Sequence, residues 1–253
     1  MIVCKSPAEI EKMREAGALV VEVLGELAKM VAPGVSTWDL DVEAERLVRA
    51  AGAEPAFKGY RGYPCTLCAS VNEQIVHGIP NTRPLGEGDI VSLDMGVKQH
   101  GFFGDSAITV PVGRVSDEAR RLLQVTQEAL DKGIAQVRLG GRVSDIGHAI
   151  QTHVEAHGFS VVREFVGHGI GAALHEEPQI ANYGEPGRGP RLAEGMTLAI
   201  EPMVNVGKPG VKMLADGWTA VTRDGSLSAH FEHTVAVTKD GPLVLTREAA
   251  RVR

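Results

Sequence analysis

The stretch that most constrains this chain is DIVSLDMGVKQHGFFGDSAITV, residues 89–110, in which two apolar runs each carry an aspartate in mid-run. Strands over 90–97 and 102–110, joined through residues 98–101, form an antiparallel hairpin if they pair with each other. With the turn centre between Gln99 and His100, opposed residues have numbers summing to 199. Asp94 then lies directly against Asp105, their β-carbons about 5 Å apart on one face. Two buried carboxylates at that spacing repel, so either one keeps its proton or a cation sits between them. The hairpin alone therefore points to a metal site.

Composition narrows the setting. The 253 residues suffice for one large domain or two small ones with a substantial core, and 43% hydrophobic with 23% charged residues is ordinary for a soluble globular protein. Against 26 basic residues stand 32 acidic ones, and the net charge of −6 argues against broad binding to nucleic acid or an anionic membrane. There is no signal-like start or long apolar segment, and only three cysteines, Cys4, Cys65 and Cys68, which together suggest the reducing cytoplasm. Cys65 and Cys68 have CxxC spacing, but no second pair or neighbouring histidines complete a zinc site and no helix follows as in a redox motif.

The helices announce themselves. Ser6-Pro7-Ala8-Glu9 is a capping box with proline at the first helical position, and apolar residues at helical spacing predict a helix over 7–31. Ser36 or Thr37 caps a second helix that ends near Gly52. After Gly113 the pattern recurs: Ser116 caps a helix to about Val137, and Ser144 or Asp145 starts another that ends at Gly158. At an offset of 106 residues Gly34 matches Gly140, Asp39 matches Asp145, Val48 matches Val154 and Gly52 matches Gly158. This predicts one domain of two related halves, about 6–112 and 113–246, each two helices followed by strands. The strands of both halves then form one sheet with helices on its outer side. Second-half strands are expected near 159–166, 197–204, 217–222, 230–238 and 242–245, and residues 247–253 are expected to fray.

Two more carboxylates sit inside apolar strands, Glu201 in TLAIEPMV and Glu232 in AHFEHTVAV. One such residue is ordinarily a strand-end group that reaches water or an arginine. Four of them, with Asp94 and Asp105, call for a common explanation. His168, between two glycines after an apolar strand in GHGIGAALHEEP, adds an imidazole, while His175 reads equally as a surface residue. Four carboxylates and one imidazole form a mostly hard donor set that suits manganese, iron or cobalt. Their charge of −4 balances two divalent cations, leaving a bridging hydroxide as nucleophile. Two such ions about 3.5–4 Å apart could activate water, polarise a carbonyl and hold a free amine, the requirements for hydrolysing an N-terminal peptide bond.

Taken together the motifs resemble the type I methionine aminopeptidases, compact bacterial-style M24 metallopeptidases. The resemblance runs end to end: IEKMREAG at 10–17, SVNEQIVHGIP at 70–80, the hairpin, GHGIG at 167–171, HEEPQI at 175–180, AIEPM at 199–203 and FEHTVAVT at 231–238. It implies the α+β pita-bread fold, a curved, mostly antiparallel sheet in two pseudo-symmetric halves with helices on one side. It implies two divalent ions (cobalt, manganese or iron, with zinc also admissible) held by Asp94, Asp105, His168, Glu201 and Glu232, of which Asp105 and Glu232 bridge. Glu201 would also shuttle a proton. The same resemblance places His77 near the scissile amide, His175 on the substrate carbonyl or oxyanion, and Tyr60, Tyr63, Cys68 and Trp218 in the methionine pocket.

The implied activity is removal of the initiator methionine from nascent polypeptides with a small second residue, by a monomer in the cytoplasm. The ribosome enters as a candidate partner without a motif to carry it. This chain departs from the family pattern at Gly96, where a hydroxyl residue is frequent, at Phe103, where histidine is, and at Leu174, where an aromatic is. The alternatives are a proline-directed aminopeptidase or prolidase of the same fold, for whose extra N-terminal domain this length leaves no room, a non-catalytic binding module, and a protein held by structural calcium.

Overall fold

Local signals set the helices. In the computed structural model, which describes residues 1–247, helix α1 spans Pro7–Met30. The Ser6 amide donates to the Glu9 carboxylate at 2.7 Å while the Ser6 hydroxyl accepts from the Glu9 amide. Helix α2 (Thr37–Ala50) is capped likewise by Ser36 and Asp39, and Ser116 caps α3 (Asp117–Ile134). Helix α4 (Val143–Ala156) corrects the expectation of a Ser144 or Asp145 cap. Arg142 is its N-cap, and Asp145, in the first turn, accepts from the Arg142 amide at 2.8 Å. A carboxylate three residues inside the helix can hold the cap backbone whatever the cap side chain is.

Between the helix pairs come β1 (Glu54–Pro55), β2 (Cys68–Val71), β3 (Gln74–Val76), β4 (Ile90–Gln99) and β5 (Phe102–Pro111). After α4 come β6 (Ser160–Val161), β7 (Gly167–Gly169), β8 (Glu176–Ile180), β9 (Thr197–Ile200), β10 (Met203–Asn205), β11 (Val211–Met213), β12 (Ala220–Thr222), β13 (Ser228–His230), β14 (Glu232–Thr238) and β15 (Gly241–Val244). Nine strands form an antiparallel sheet in the order β1-β4-β5-β14-β9-β7-β8, with β15 on β14 and β2 on β4. Strands of both halves share this sheet, as expected, but not all of them lie in it: two three-stranded sheets, β13-β10-β6 and β11-β12-β3, accompany it. The expected strands are also more broken. Pro202 cannot donate to a ladder and separates β9 from β10, and 159–166 contributes only β6.

The hairpin register differs from the sequence reading. Gln99 pairs with Phe102 around a two-residue turn, His100 and Gly101, whose φ angles of 51° and 82° follow the type I′ pattern. Asp94 therefore opposes Ala107, and Asp105 opposes Gly96, so the two aspartates are diagonal rather than direct partners. The slip is two residues, which preserves the face.

Alternation along β4 separates core from site. Leu93, Met95 and Val97 pack with Val20, Leu24 and Leu40 of α1 and α2 in one buried cluster, whereas Asp94 points from the opposite face. A second cluster joins Leu122, Ile146 and Ile150 of α3 and α4 to Leu198, Val235 and Val237 of the sheet. Backbone hydrogen bonds recur at the offset of 106. Ala53 donates to Val48 at 3.2 Å and Phe159 to Val154 at 3.3 Å. Gly34 donates to Leu85 at 2.8 Å and Gly140 to Leu192 at 2.9 Å, a likeness in which the donors keep the offset and the acceptor is displaced by one residue. Arg247 reaches Asp131 at 3.2 Å, and the rest of the terminal segment expected to fray lies outside the described residues.

Candidate metal centre

Strand registry brings the five candidate ligands to one face. Asp94 and Glu232 both oppose Ala107, one from each side, so a small residue lies beneath the approach of two carboxylates. Two residues along β5, Asp105 shares that face. Its backbone exchanges hydrogen bonds with the Thr234 hydroxyl, at 2.8 Å to the carbonyl and 3.3 Å from the amide, and Ser106 Oγ donates to Glu232 O at 2.6 Å. These bonds lock β5 to β14. His168 is the central residue of β7, opposite Ala199 of β9, and Glu201 follows directly after that strand. The glycines around His168 have a steric reason: a Cβ at 167 would lie 2.3 Å from Ala199 O, and one at 169 would lie 2.2 Å from Glu177 O.

Ligand atoms of Asp105, His168 and Glu232 lie within 4.8 Å of one another. His168 Nε2 is 3.9 Å from Asp105 Oδ2 and 3.7 Å from Glu201 Oε1. His168 Nδ1 is 2.9 Å from Gly169 O. A carbonyl only accepts, so Nδ1 carries the proton and Nε2 turns its lone pair toward the carboxylates. Asp94 Oδ1, Asp105 Oδ1 and Glu232 Oε1 are buried without a hydrogen-bond partner. Buried carboxylate oxygens are rarely left so, and this donor set fits divalent cations.

The electrostatics agree. Burial, and then the nearness of Asp105, pushes the Asp94 carboxyl well above its usual range, and burial pushes Asp105 up to about 7. Glu201 and Glu232 rise well above theirs for the same reasons, burial first and neighbouring carboxylates second. Burial and then His175 lower His168 to about 3, so it stays neutral at working pH. The protein alone therefore holds protons in this cage, and a cation must compete with them.

Every site residue named from the sequence lines one cavity of about 140 Å³: the five candidate ligands, His77, His175, Tyr60, Tyr63, Cys68 and Trp218. His175 is at the rim with its ring stacked on Tyr60 at 5.2 Å and Nδ1 3.0 Å from the Tyr60 hydroxyl. His77 has a φ of 60°, a left-handed conformation that costs a non-glycine residue about 1–3 kcal/mol and concentrates at functional sites. Its ring meets Phe165 and Trp218 edge-on at 5.3 and 6.4 Å, and burial lowers it to about 4. Cys68 opposes Asp94 across β2 and β4, so this apolar wall adjoins the carboxylates directly. Tyr63 is buried, with its hydroxyl 3.0 Å from both Leu67 O and Gly78 O and its ring edge-on to Trp218. Cys65 and Cys68 are both free thiols.

The departures from the family pattern have visible surroundings. Leu174 lines the cavity, and a Cβ at Gly96 would lie 3.0 Å from Phe57 Cε1. Sequence reasoning missed Phe57 and Arg61, which line the cavity, and His230, whose Nε2 is 3.5 Å from Glu201 Oε2 and whose ring nitrogens have no hydrogen-bond partner. No local pattern marks them. A histidine at the end of an apolar strand becomes notable only when tertiary pairing sets it beside Glu201.

Comparison with known proteins places this arrangement. A model of metallopeptidase family M24 matches residues 11–239. The chain is 56% identical over 247 residues to methionine aminopeptidase 1 of Bacillus subtilis, covering 98% of this chain and all of that one. It is 47% identical to methionine aminopeptidase 1 of Mycobacterium tuberculosis, covering 96% of this chain and 94% of the relative. The crystal structure of methionine aminopeptidase from Thermotoga maritima superposes with a TM-score of 0.96 at 48% identity, over 98% of this chain and 100% of that one. A prolidase from Pyrococcus horikoshii shares the fold alone, at 21% identity and a TM-score of 0.79 over 100% of this chain and 66% of that one. The curved antiparallel sheet with its helices is the pita-bread fold.

Proposed function

The chain belongs to metallopeptidase family M24 and, within it, to the methionine aminopeptidases, and from that premise we propose how its own residues carry out the removal of an N-terminal methionine. The observation that carries the reading is the cage. Three buried carboxylate oxygens without partners and one neutral imidazole with its lone pair free converge on a single cavity. Asp94, Asp105, His168, Glu201 and Glu232 would hold two divalent ions, cobalt, manganese or iron with zinc also admissible, and Asp105 and Glu232 are read as the shared pair. When bound, such ions lower the pKa of the attacking water, polarise the scissile carbonyl and anchor the free amine.

Around that centre each side chain has a task. Glu201 takes the proton of the attacking water and returns it to the leaving amine. With the Tyr60 hydroxyl donating to Nδ1, His175 keeps its Nε2–H for the developing oxyanion. His77, neutral and held between Phe165 and Trp218, faces the scissile amide. Tyr63, Cys68 and Trp218 form an apolar slot beside Asp94 for the thioether. Because burial pushes the Cys68 thiol well up, it serves as an uncharged wall.

The reading includes a small second residue in the substrate, nascent chains as the source of that substrate, the ribosome as the place of encounter, and a monomer in the cytoplasm. Three free cysteines support the compartment. Among the described residues no helix is long and apolar enough to cross a membrane. The whole chain is read as one catalytic domain, with halves of about 6–112 and 113–246. The test compares Met-Ala-Ser with Ala-Pro-Ala across manganese, iron and cobalt, with metal analysis of the freshly purified protein. Faster cleavage of the proline peptide overturns the substrate assignment.

A further inference from the structure

Far from the cage in sequence, Glu128 of α3 and His153 and His157 at the C-terminal end of α4 bring three donor atoms within 4.8 Å of one another. None of the three lines the catalytic cavity. We infer that they form a second, peripheral divalent-cation site that joins the two helices and takes zinc, nickel or copper(II).

The two histidines are four residues apart, the spacing that stacks side chains on one helix face, and their rings lie 4.5 Å apart. His157 Nδ1 is 2.8 Å from His153 O. Because that carbonyl can only accept, Nδ1 holds the proton and Nε2 is left with a free lone pair, the tautomer a metal needs. His153 Nε2–H donates to Glu128 Oε2 at 3.0 Å, a proton that a bound cation replaces between the two groups, while Glu128 Oε1 accepts from Gln124 Nε2 at 2.8 Å, which fixes the carboxylate plane. Bonds of about 2.0–2.2 Å in a tetrahedron set donors roughly 3.4 Å apart. The three donors already lie within 4.8 Å of one another, the shortest pair at 3.0 Å, so side-chain rotations that move the donors by up to about an ångström and a half complete the set. His153 and Glu128 are both half-buried, Glu128 the more open of the two, which leaves a side for water as a further ligand.

The C-terminal end of α4 offers the negative pole of its dipole, which favours a cation, and Arg121 opposes it by donating to His157 O at 2.6 Å. Two imidazoles and one carboxylate make a softer set than the four carboxylates and single imidazole of the cage. The two sites should therefore sort metals, the peripheral one taking zinc, nickel or copper while manganese or iron occupies the cage. With ligands from both helices, the bound ion stabilises the α3–α4 pair by mass action.

The test is a zinc titration of the full-length, manganese-loaded protein by competition with a chromogenic chelator, with bound metal counted after desalting. Wild type should hold one more zinc than His153→Ala/His157→Ala, and that double variant should cleave Met-Ala-Ser at the wild-type rate. Glu128→Gln, isosteric, should preserve the fold by circular dichroism and weaken the same ion about tenfold or more, the scale on which even ligand-supporting groups act. Asp105→Asn should leave this zinc in place. Equal zinc stoichiometry and affinity in wild type, the double variant and Glu128→Gln overturns the site.

Discussion

Two regions of this molecule set histidine against carboxylate, with opposite electrostatic results. In the cage, His168 and Asp105 are 3.9 Å apart and both buried, and burial raises Asp105 to about 7. Between α3 and α4, His153 and Glu128 are 3.0 Å apart at the surface, and hydrogen bonds from Gln124 and then His153 hold Glu128 below the usual carboxylate range. The residue types are alike, so the difference lies in solvent. At the surface water pays most of the desolvation and hydrogen bonding decides; in the interior desolvation decides and leaves three carboxylate oxygens without partners. Such a region is costly without a cation, whereas the surface cluster is content either way.

The largest effect that would break this contrast is the loss of a cage carboxylate. Asp105→Asn or Glu232→Gln should abolish metal-dependent cleavage of Met-Ala-Ser, yet Asp105→Asn should melt higher than wild type when both are metal-free at pH 8. The sign follows from linkage. Asp105 has a folded value of about 7 against 3.8 unfolded, so its contribution to stability is full below about 4 and is lost as pH rises through 7. Asparagine escapes that loss, at about 2–4 °C for each kcal/mol in a chain of this size. Calorimetry at pH 4 and pH 8 should show the variant's advantage only at the higher pH. A variant that melts lower than wild type at pH 8 removes the idea that the cage is strained without cations.

Much of that cage was legible in the sequence, because a charged residue inside an apolar strand contradicts its surroundings wherever it occurs. Asp94, Asp105, Glu201 and Glu232 could be picked out without knowing their neighbours, and the helices were readable from capping residues such as Ser6, Ser36 and Ser116. Register was not. The turn closes on His100 and Gly101, and a slip of two residues leaves the hydrophobic alternation unchanged, so no pattern could reveal it. His230, Phe57 and Arg61 escaped for a related reason: their importance arises from what the fold sets beside them.

Below the proposed ligands come the two histidines that we assign to the substrate. His175→Ala and His77→Ala should each lower kcat about 10²–10³-fold, the scale for a lost donor at a developing charge, with metal content unchanged. Steady-state kinetics paired with metal analysis separates them from the ligands, and loss of metal in either variant would move that histidine into the cage. Smaller again is the response to acid. His168, lowered to about 3, needs no deprotonation to bind a cation, whereas Asp105 must release a proton below about 7. Affinity for the catalytic ions should thus fall about tenfold for each pH unit between 7 and 5 for every proton displaced. Competition titrations at those two values check it, and a flat profile would mean that the cage is already ionised without metal.

The smallest effect belongs to the surface pair. In metal-free protein, Glu128→Gln should shift the melting temperature by less than about 2–4 °C, because a single solvent-reached contact of this kind contributes under about 1 kcal/mol and the glutamine keeps the hydrogen bond with His153. The result matters because it is set against Asp105→Asn, the same kind of substitution beside a histidine in each case. If burial separates the two regions, the cage variant gains stability at pH 8 and the surface variant barely moves. A large loss for Glu128→Gln would show that the α3–α4 contact depends on this charge even without an ion, and the contrast between a strained interior and an indifferent surface would fail at its second term.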